Sequence, residues 1–343
     1  MVTSTPWSHA ELRELKALLA TLACLLFLPG IAAARCGGTD MIAALPASER
    51  EALERAAQAA PYPEGLLWRA ERGSTRLTIF GTYHFEHDRT RAHLDALATH
   101  IKAADAVYLE MSTADQERLE RQMAEDPSIM FITEGPTLPD LLGEEDWRTL
   151  RDELGERGFP SFMAAKFKPI WASMMLGIGP CEAQAGALMG AGIDEMIGQT
   201  AAAAGVPTRS LEDATAVLSL LDDMPREEQL DAIRLFLAWP GDADDAAYTL
   251  RQRYLAQQTA LIWEFSRKIS TEESGPQAEA NFERFETLLL RDRNAEWADL
   301  LTGDDVTGDV FIAAGAGHLP GEHGLLHMLE TRGFKIERIP FDS

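Results

Sequence analysis

Four polar side chains in this sequence combine useful chemistry with a telling address. His84, Glu110, Glu212 and His318 each stand at or just past the end of a segment that reads as a β-strand. Imidazole and carboxylate together suit a divalent metal such as zinc, manganese or cobalt. With one coordination position left open, a bound water becomes a nucleophile near neutral pH. Both histidines arrive through the same short pattern, Gly81-Thr82-Tyr83-His84 and Gly315-Ala316-Gly317-His318. A strand that turns sharply towards a ligand needs the freedom and close approach that a Cβ hinders, a role that Gly81, Gly315 and Gly317 fit. The G-x-x-H pattern is weak in isolation. Its weight comes from occurring twice, each time between a strand and a helix.

Other residues are weighed beside these. His84 and His87 are three apart, with Glu86 and Asp88 beside them, so His87 and Asp88 are supporting candidates. His93 and His100 read as a wet helix face. His323 and His327 are spaced as i and i+4, but no third ligand is evident locally, so they read as structural. Arg293 lies in line with Phe285, Leu289 and Trp297 at steps of four along one face of a helix expected from Phe282 to Leu301. A cation among inward residues is expensive unless paired. It therefore calls for a carboxylate such as Asp194 or Glu212, as a structural salt bridge or as a group that steadies an oxyanion. Asn294, next along, would orient a substrate carbonyl or cap a loop. The chain has no H-E-x-x-H, G-x-S-x-G, Walker A or G-x-G-x-x-G motif, which removes the commonest metallopeptidase, serine hydrolase and nucleotide-binding readings.

The elements that must carry these residues follow from hydrophobic spacing. Gly65 to Ala70 and Arg76 to Phe80 flank a turn and predict a β-hairpin. Leu94, Leu97 and Ile101 mark one face of a helix, and Ala106 to Leu109 reads as the strand ending at Glu110. Strand, turn, helix and strand in that order predict a parallel crossover. Further on, a helix from Glu195 to Ala204 is stopped by Gly205, and a strand from Val206 to Leu211 leads to Glu212. A last unit runs from a strand at Asp309 to Ala314, through the second glycine turn and a helix, to a strand at Lys335 to Phe341, echoing the first crossover. The expected fold class is α/β, a mixed and largely parallel sheet core with a large helical insertion. Its core draws on residues of about 60–112 and 192–343, with the insertion at about 113–190 and a helical segment at about 213–301. Open sheets of this kind bind ligands at the carboxyl ends of their strands, where the four polar residues fall.

Composition bounds the partners. With 46% hydrophobic and 25% charged residues the chain can bury a core. Its 31 Lys and Arg against 55 Asp and Glu give a net charge of -24, which repels a phosphate backbone, so nucleic acid is not an expected partner. An apolar run from Ala17 to Ala34 follows Arg13 and Lys16 and closes on Ala32-Ala33-Ala34, a signal-peptide pattern over residues 1–34 with cleavage after Ala34. The mature domain would then be residues 35–343, periplasmic or secreted, with membrane association only if the segment stays uncleaved as an anchor. Cleavage leaves two cysteines, Cys36 and Cys181, an even pair that in an oxidising compartment predicts a disulfide.

An ordered set of motifs also resembles a known family. Ile79 to His84, Tyr108-Leu109-Glu110, Gly192-Ile193-Asp194, Ser210-Leu211-Glu212, Arg293-Asn294-Ala295-Glu296-Trp297 and Ala314 to Gly321 are similar to the signature of the TraB/GumN (TraB/PrgY) family, across nearly the whole mature chain. That family is related to the Tiki metalloproteases and more distantly to erythromycin-esterase-like (EreA) and ChaN-like proteins. The resemblance implies a site centred on His84 and His318, with Glu110, Glu212, Arg293 and Asn294 as participants. The leading expectation is a metal-dependent, peptidase-like hydrolase acting on a peptide or small-molecule substrate. His84, Glu110 and His318 would be ligands to a divalent ion (Mn, Co or Zn), and Glu212, Arg293 and Asn294 the catalytic groups, with Glu212 as general base or alternative ligand. The rival expectation is a binding protein that sequesters a peptide signal or a haem or metal ligand.

Overall fold

The hairpin forms where the apolar alternation places it. In the computed structural model, which describes residues 36–187, 192–271 and 278–342, strands β1 (Leu67–Arg72) and β2 (Thr75–Thr82) pair antiparallel around Gly73. Gly73 has φ +61, a conformation that glycine adopts at no steric cost. The expected signal segment and its cleavage point after Ala34 lie outside the described residues.

Four further strands complete the sheet: β3 (Ala106–Leu109), β4 (Thr208–Ser210), β5 (Asp309–Gly315) and β6 (Lys335–Arg338). Their order is β4-β3-β5-β2-β1-β6. β2, β3, β4 and β5 run parallel, while β1 is antiparallel to both β2 and β6. The fold is thus α/β, with a mixed and mostly parallel sheet. Helix α1 (Thr90–Ala103) makes the expected crossover from β2 to β3, but the two strands are not neighbours, because β5 inserts between them. Its register with β2 pairs Gly81 with Ala314 and Thr82 with Gly315. The two glycine turns therefore leave the sheet side by side.

Both faces of the sheet are covered. Val310, Ile312 and Ala314 of β5 point into one core with Trp297 and Leu301 of helix α4 (Asp292–Thr302) and Leu325, Leu326 and Leu329 of α5 (Leu325–Thr331). Phe311 and Ala313 point into the other, with Leu97 and Ile101 of α1, Ile193 and Ile197 of α2 (Ile193–Ala203) and Tyr254 of α3 (Ala243–Leu255). Strands buried on both faces read as continuous apolar runs, as β5 does.

Three expected boundaries shift. β4 spans Thr208–Ser210 rather than Val206 to Leu211, since Pro207 has no N–H to give to a ladder. β6 ends at Arg338, two residues before Pro340, and lies at the far edge beside β1. It is parallel to β5, so the last unit echoes the first crossover, but it reaches across two strands, β2 and β1, where the first reaches across β5 alone. The helix expected from Phe282 to Leu301 is interrupted by a wide π-helical turn over Thr287–Arg291, and Phe285 is exposed. Such turns occur often at functional sites.

Away from the sheet, Leu138, Leu150, Leu154, Phe167 and Leu176 form a separate apolar core with Leu230 and Ile233. Each such burial contributes about 1.5–3 kcal/mol. The helix Arg226–Ala238 thus packs with the helices of residues 138–176, so the helical layer is built from two separated stretches of sequence. Cys36 and Cys181 form the expected disulfide. Among the described residues no helix is long and apolar enough to cross a membrane.

Candidate functional site

The sheet's carboxyl edge gathers the groups. Glu110 directly follows β3, and its Oε1 accepts a hydrogen bond of 2.6 Å from the Gly315 amide at the end of β5. His318, in the short 3-10 turn after β5, has its Nε2 3.8 Å from the same oxygen. A Cβ at Gly315 would sit 3.0 Å from His84 Nε2 and 3.3 Å from Glu110 Oε1, so both groups lie close over this glycine and a side chain there would crowd them. Gly81 is held by close approach as well, since a Cβ there would come within 2.8 Å of Leu319 Cδ1. Gly317 is different: it has open space and no positive φ, so the expected need for glycine is absent there.

Each histidine is fixed through Nδ1 by a residue from a remote helix. His84 Nδ1 lies 3.0 Å from Asp194 Oδ2, in the first turn of α2. A Cβ at Gly192 would collide with the His84 carbonyl oxygen, so this glycine lets α2 come close enough for Asp194 to reach the ring. His318 Nδ1 lies 2.7 Å from Asn294 Oδ1. The Asn294 amide nitrogen donates to the carbonyls of His323 (2.8 Å) and His318 (3.3 Å), which assigns Oδ1 to the ring. A neutral His318 must then carry its proton on Nδ1, leaving the Nε2 lone pair towards Glu110. Trp297 supports that ring at 4.3 Å between centroids.

Arg293 meets Glu212, as one expected alternative had it, and Glu110, but not Asp194, which is committed to His84. Its Nε and Nη2 donate to Glu212 at 2.8 and 2.5 Å, its Nη2 also donates to Glu110 Oε2 at 2.8 Å, and its Nη1 donates to the Leu289 carbonyl at 2.9 Å. One guanidinium N–H is left over. Glu212 also accepts from the Trp297 indole at 3.0 Å, so both its oxygens are engaged. That saturation works against a general-base role for Glu212 and makes it the anchor of Arg293. Asn294 is buried at 1% exposure and spends its amide on His318 and two carbonyls, which leaves it a positioning group rather than one reaching substrate.

The two imidazoles have opposite electrostatics. Burial pushes against a proton on His84, but Asp194 and then Glu110 outweigh it and raise the group to about 9, although 56% of the side chain is exposed. Burial dominates at His318, which falls to about 3 despite Glu110. Burial also disfavours the Glu110 carboxylate, yet His318, His84, Arg293 and the Gly315 amide hold it down at about 2.

The remaining candidates are elsewhere. His87 and His93 pack together under the His84 turn. His93 is fully buried, against the expected wet face, because it lies one turn before Leu97 and Ile101 on the same stripe. His100 is half-buried, His323 is exposed, and His327 pairs with Glu322 and Glu330. Sequence reasoning missed Asp194 as the partner of His84 and Trp297 as a donor to Glu212. The signal available for Asp194 was its place behind Gly192 at a helix start. Among the described residues no group of three or more His, Cys, Asp and Glu side chains is placed to hold a metal ion. A search of curated proteins finds no match to the chain. The model of the TraB/PrgY/gumN family, however, matches residues 66–338, a span that holds both glycine turns, both glutamates and Arg293. With most of its length matched, the chain belongs to the TraB/PrgY/gumN family.

Proposed function

We propose that this protein is an exported hydrolase, peptidase-like in its substrate, that works with a divalent metal ion held by His84, Glu110 and His318. One observation carries the reading: Asp194 and Asn294 hold the Nδ1 atoms of two histidines, the Nε2 of His318 lies 3.8 Å from Glu110 Oε1, and the Nε2 of His84 comes close to Gly315 as that oxygen does. Second partners of this kind fix the tautomer and direction of metal-ligating imidazoles. The donor set fits a cation for a further reason. A bare Nε2 and a carboxylate oxygen 3.8 Å apart repel unless positive charge is near, which Arg293 and a protonated His84 supply, and a metal would displace the His84 proton. Bound there, a metal would supply an activated water and polarise a carbonyl. Arg293 offers its spare N–H to developing negative charge, held in line by Glu212 and Leu289. The Cys36–Cys181 disulfide supports an oxidising compartment.

The test is turnover of a peptide library by protein stripped with chelator and then resupplied with manganese, cobalt or zinc. Cleavage that appears only with metal and vanishes in His318→Ala is the expected result. Metal uptake without cleavage of any peptide would move the assignment to the sequestering role.

A further inference from the structure

Beneath the turn that carries His84, six rings close on one another. His93 is fully buried, with its ring centroid 5.2 Å from His87, 5.0 Å from Phe341, 6.0 Å from Tyr254 and 6.3 Å from Phe80. His87 is 5.6 Å from Tyr254 and 5.9 Å from Tyr83, and the two tyrosines are 5.3 Å apart. The cage is tied to the site on one side by the Tyr254 hydroxyl, which donates to the Gly81 carbonyl at 3.0 Å, and on the other by Tyr83, the residue before His84.

The cage has no place for a proton's charge. Neither ring nitrogen of His93 and not Nε2 of His87 has a hydrogen-bond partner among the described residues. His87 Nδ1 accepts from the Arg89 amide at 3.2 Å, so the neutral ring carries its proton on the unpartnered Nε2. The ionisable neighbours come from every packed element: Tyr83 and Asp88 on the turn, Arg89 before α1, and Tyr254 and Arg251 on α3. Arg251 and the Tyr83 hydroxyl both point to Glu182. Only Asp88 favours a cation at His87, while Arg89 and Arg251 oppose it, and at His93 both His87 and Arg89 oppose it. A buried donor or charge left in this way costs free energy that opening to water recovers.

We propose that the His87 and His93 pair is a proton-operated latch on the His84 turn: acid drives a proton onto one ring, the cage parts, and Tyr83 and His84 swing out of the site. Burial, with Arg89 and the other groups named, holds each histidine down at about 4 in the closed cage, against an ordinary 6.5 once it opens. The closed form is therefore fully favoured above about pH 6.5 and loses ground as the pH falls from there towards 4. Between pH 7 and pH 5 each histidine shifts the equilibrium towards opening by roughly twentyfold.

Hydrogen exchange of the backbone of residues 82–92, corrected for intrinsic rate and referenced to β5, reads this directly and needs no metal or substrate. Protection of the turn should fall at least tenfold between pH 7 and pH 5 while β5 is unchanged, and His93→Phe and His87→Gln should each reduce the fall. Equal protection at both pH values, or an undiminished fall in both variants, overturns the latch. If a variant does not fold, histidine NMR on the wild-type chain decides. Two rings that stay neutral while the turn is closed support it, and either ring titrating near 6.5 with the turn still protected contradicts it.

Discussion

The two Gly-x-x-H turns leave neighbouring strands in register, yet their histidines end up chemically opposite. His84 sits on an open loop with a carboxylate at Nδ1 and is raised to about 9; His318 sits in a tight buried turn with an amide at Nδ1 and is lowered to about 3. The motif delivers the ring to the sheet edge, and the residue supplied by a remote helix decides what the ring is. A charged partner at Nδ1 outweighs burial and favours the imidazolium; a neutral partner leaves burial to favour the bare nitrogen.

The comparison breaks most severely at the group both turns depend on. Arg293→Ala leaves Glu110 and Glu212 facing each other without their shared cation, and removing one member of such a buried set costs about 3–5 kcal/mol. Thermal unfolding should show the loss, and a variant as stable as wild type would mean that the glutamates find other partners. Asn294→Ala removes the acceptor that fixes His318 and frees one buried and one partly buried carbonyl, for about 1–3 kcal/mol. His318 should then lose its single tautomer, which nitrogen NMR of the ring would report.

The smallest effect sharpens the contrast on the other side. A folded-state value raised to about 9 means that His84 contributes stability below pH 6.5 that fades as the pH rises towards 9. Asp194→Asn should flatten that dependence and bring His84 back towards its ordinary range, with little change in stability at pH 10. An unaltered His84 titration would show that Asp194 does not govern it.

Much of this arrangement was legible in the sequence. Strand endings gave Glu110 and the two turns, because apolar runs stop where the sheet edge meets the site. The adjacency of the turns was only inferable, since nothing local says that β5 inserts between β2 and β3. Charge alone offers Arg293 either Asp194 or Glu212, and only the close approach at Gly192, which the sequence does not display, gives Asp194 to His84 and leaves Glu212 to Arg293. His93 was misread because a polar residue on an amphipathic helix is usually wet, and its i+4 alignment with Leu97 and Ile101 was outweighed by residue type.

The central claim is that His84 and His318, 234 positions apart, hold one ion between them. Cobalt titration of chelator-stripped protein, followed by visible absorption and elemental analysis, tests it most directly. The account predicts one cobalt per chain in the wild type and none retained by His84→Ala or His318→Ala, both still folded. Wild type that takes up no ion, or variants that keep a full equivalent with the same spectrum, would contradict it.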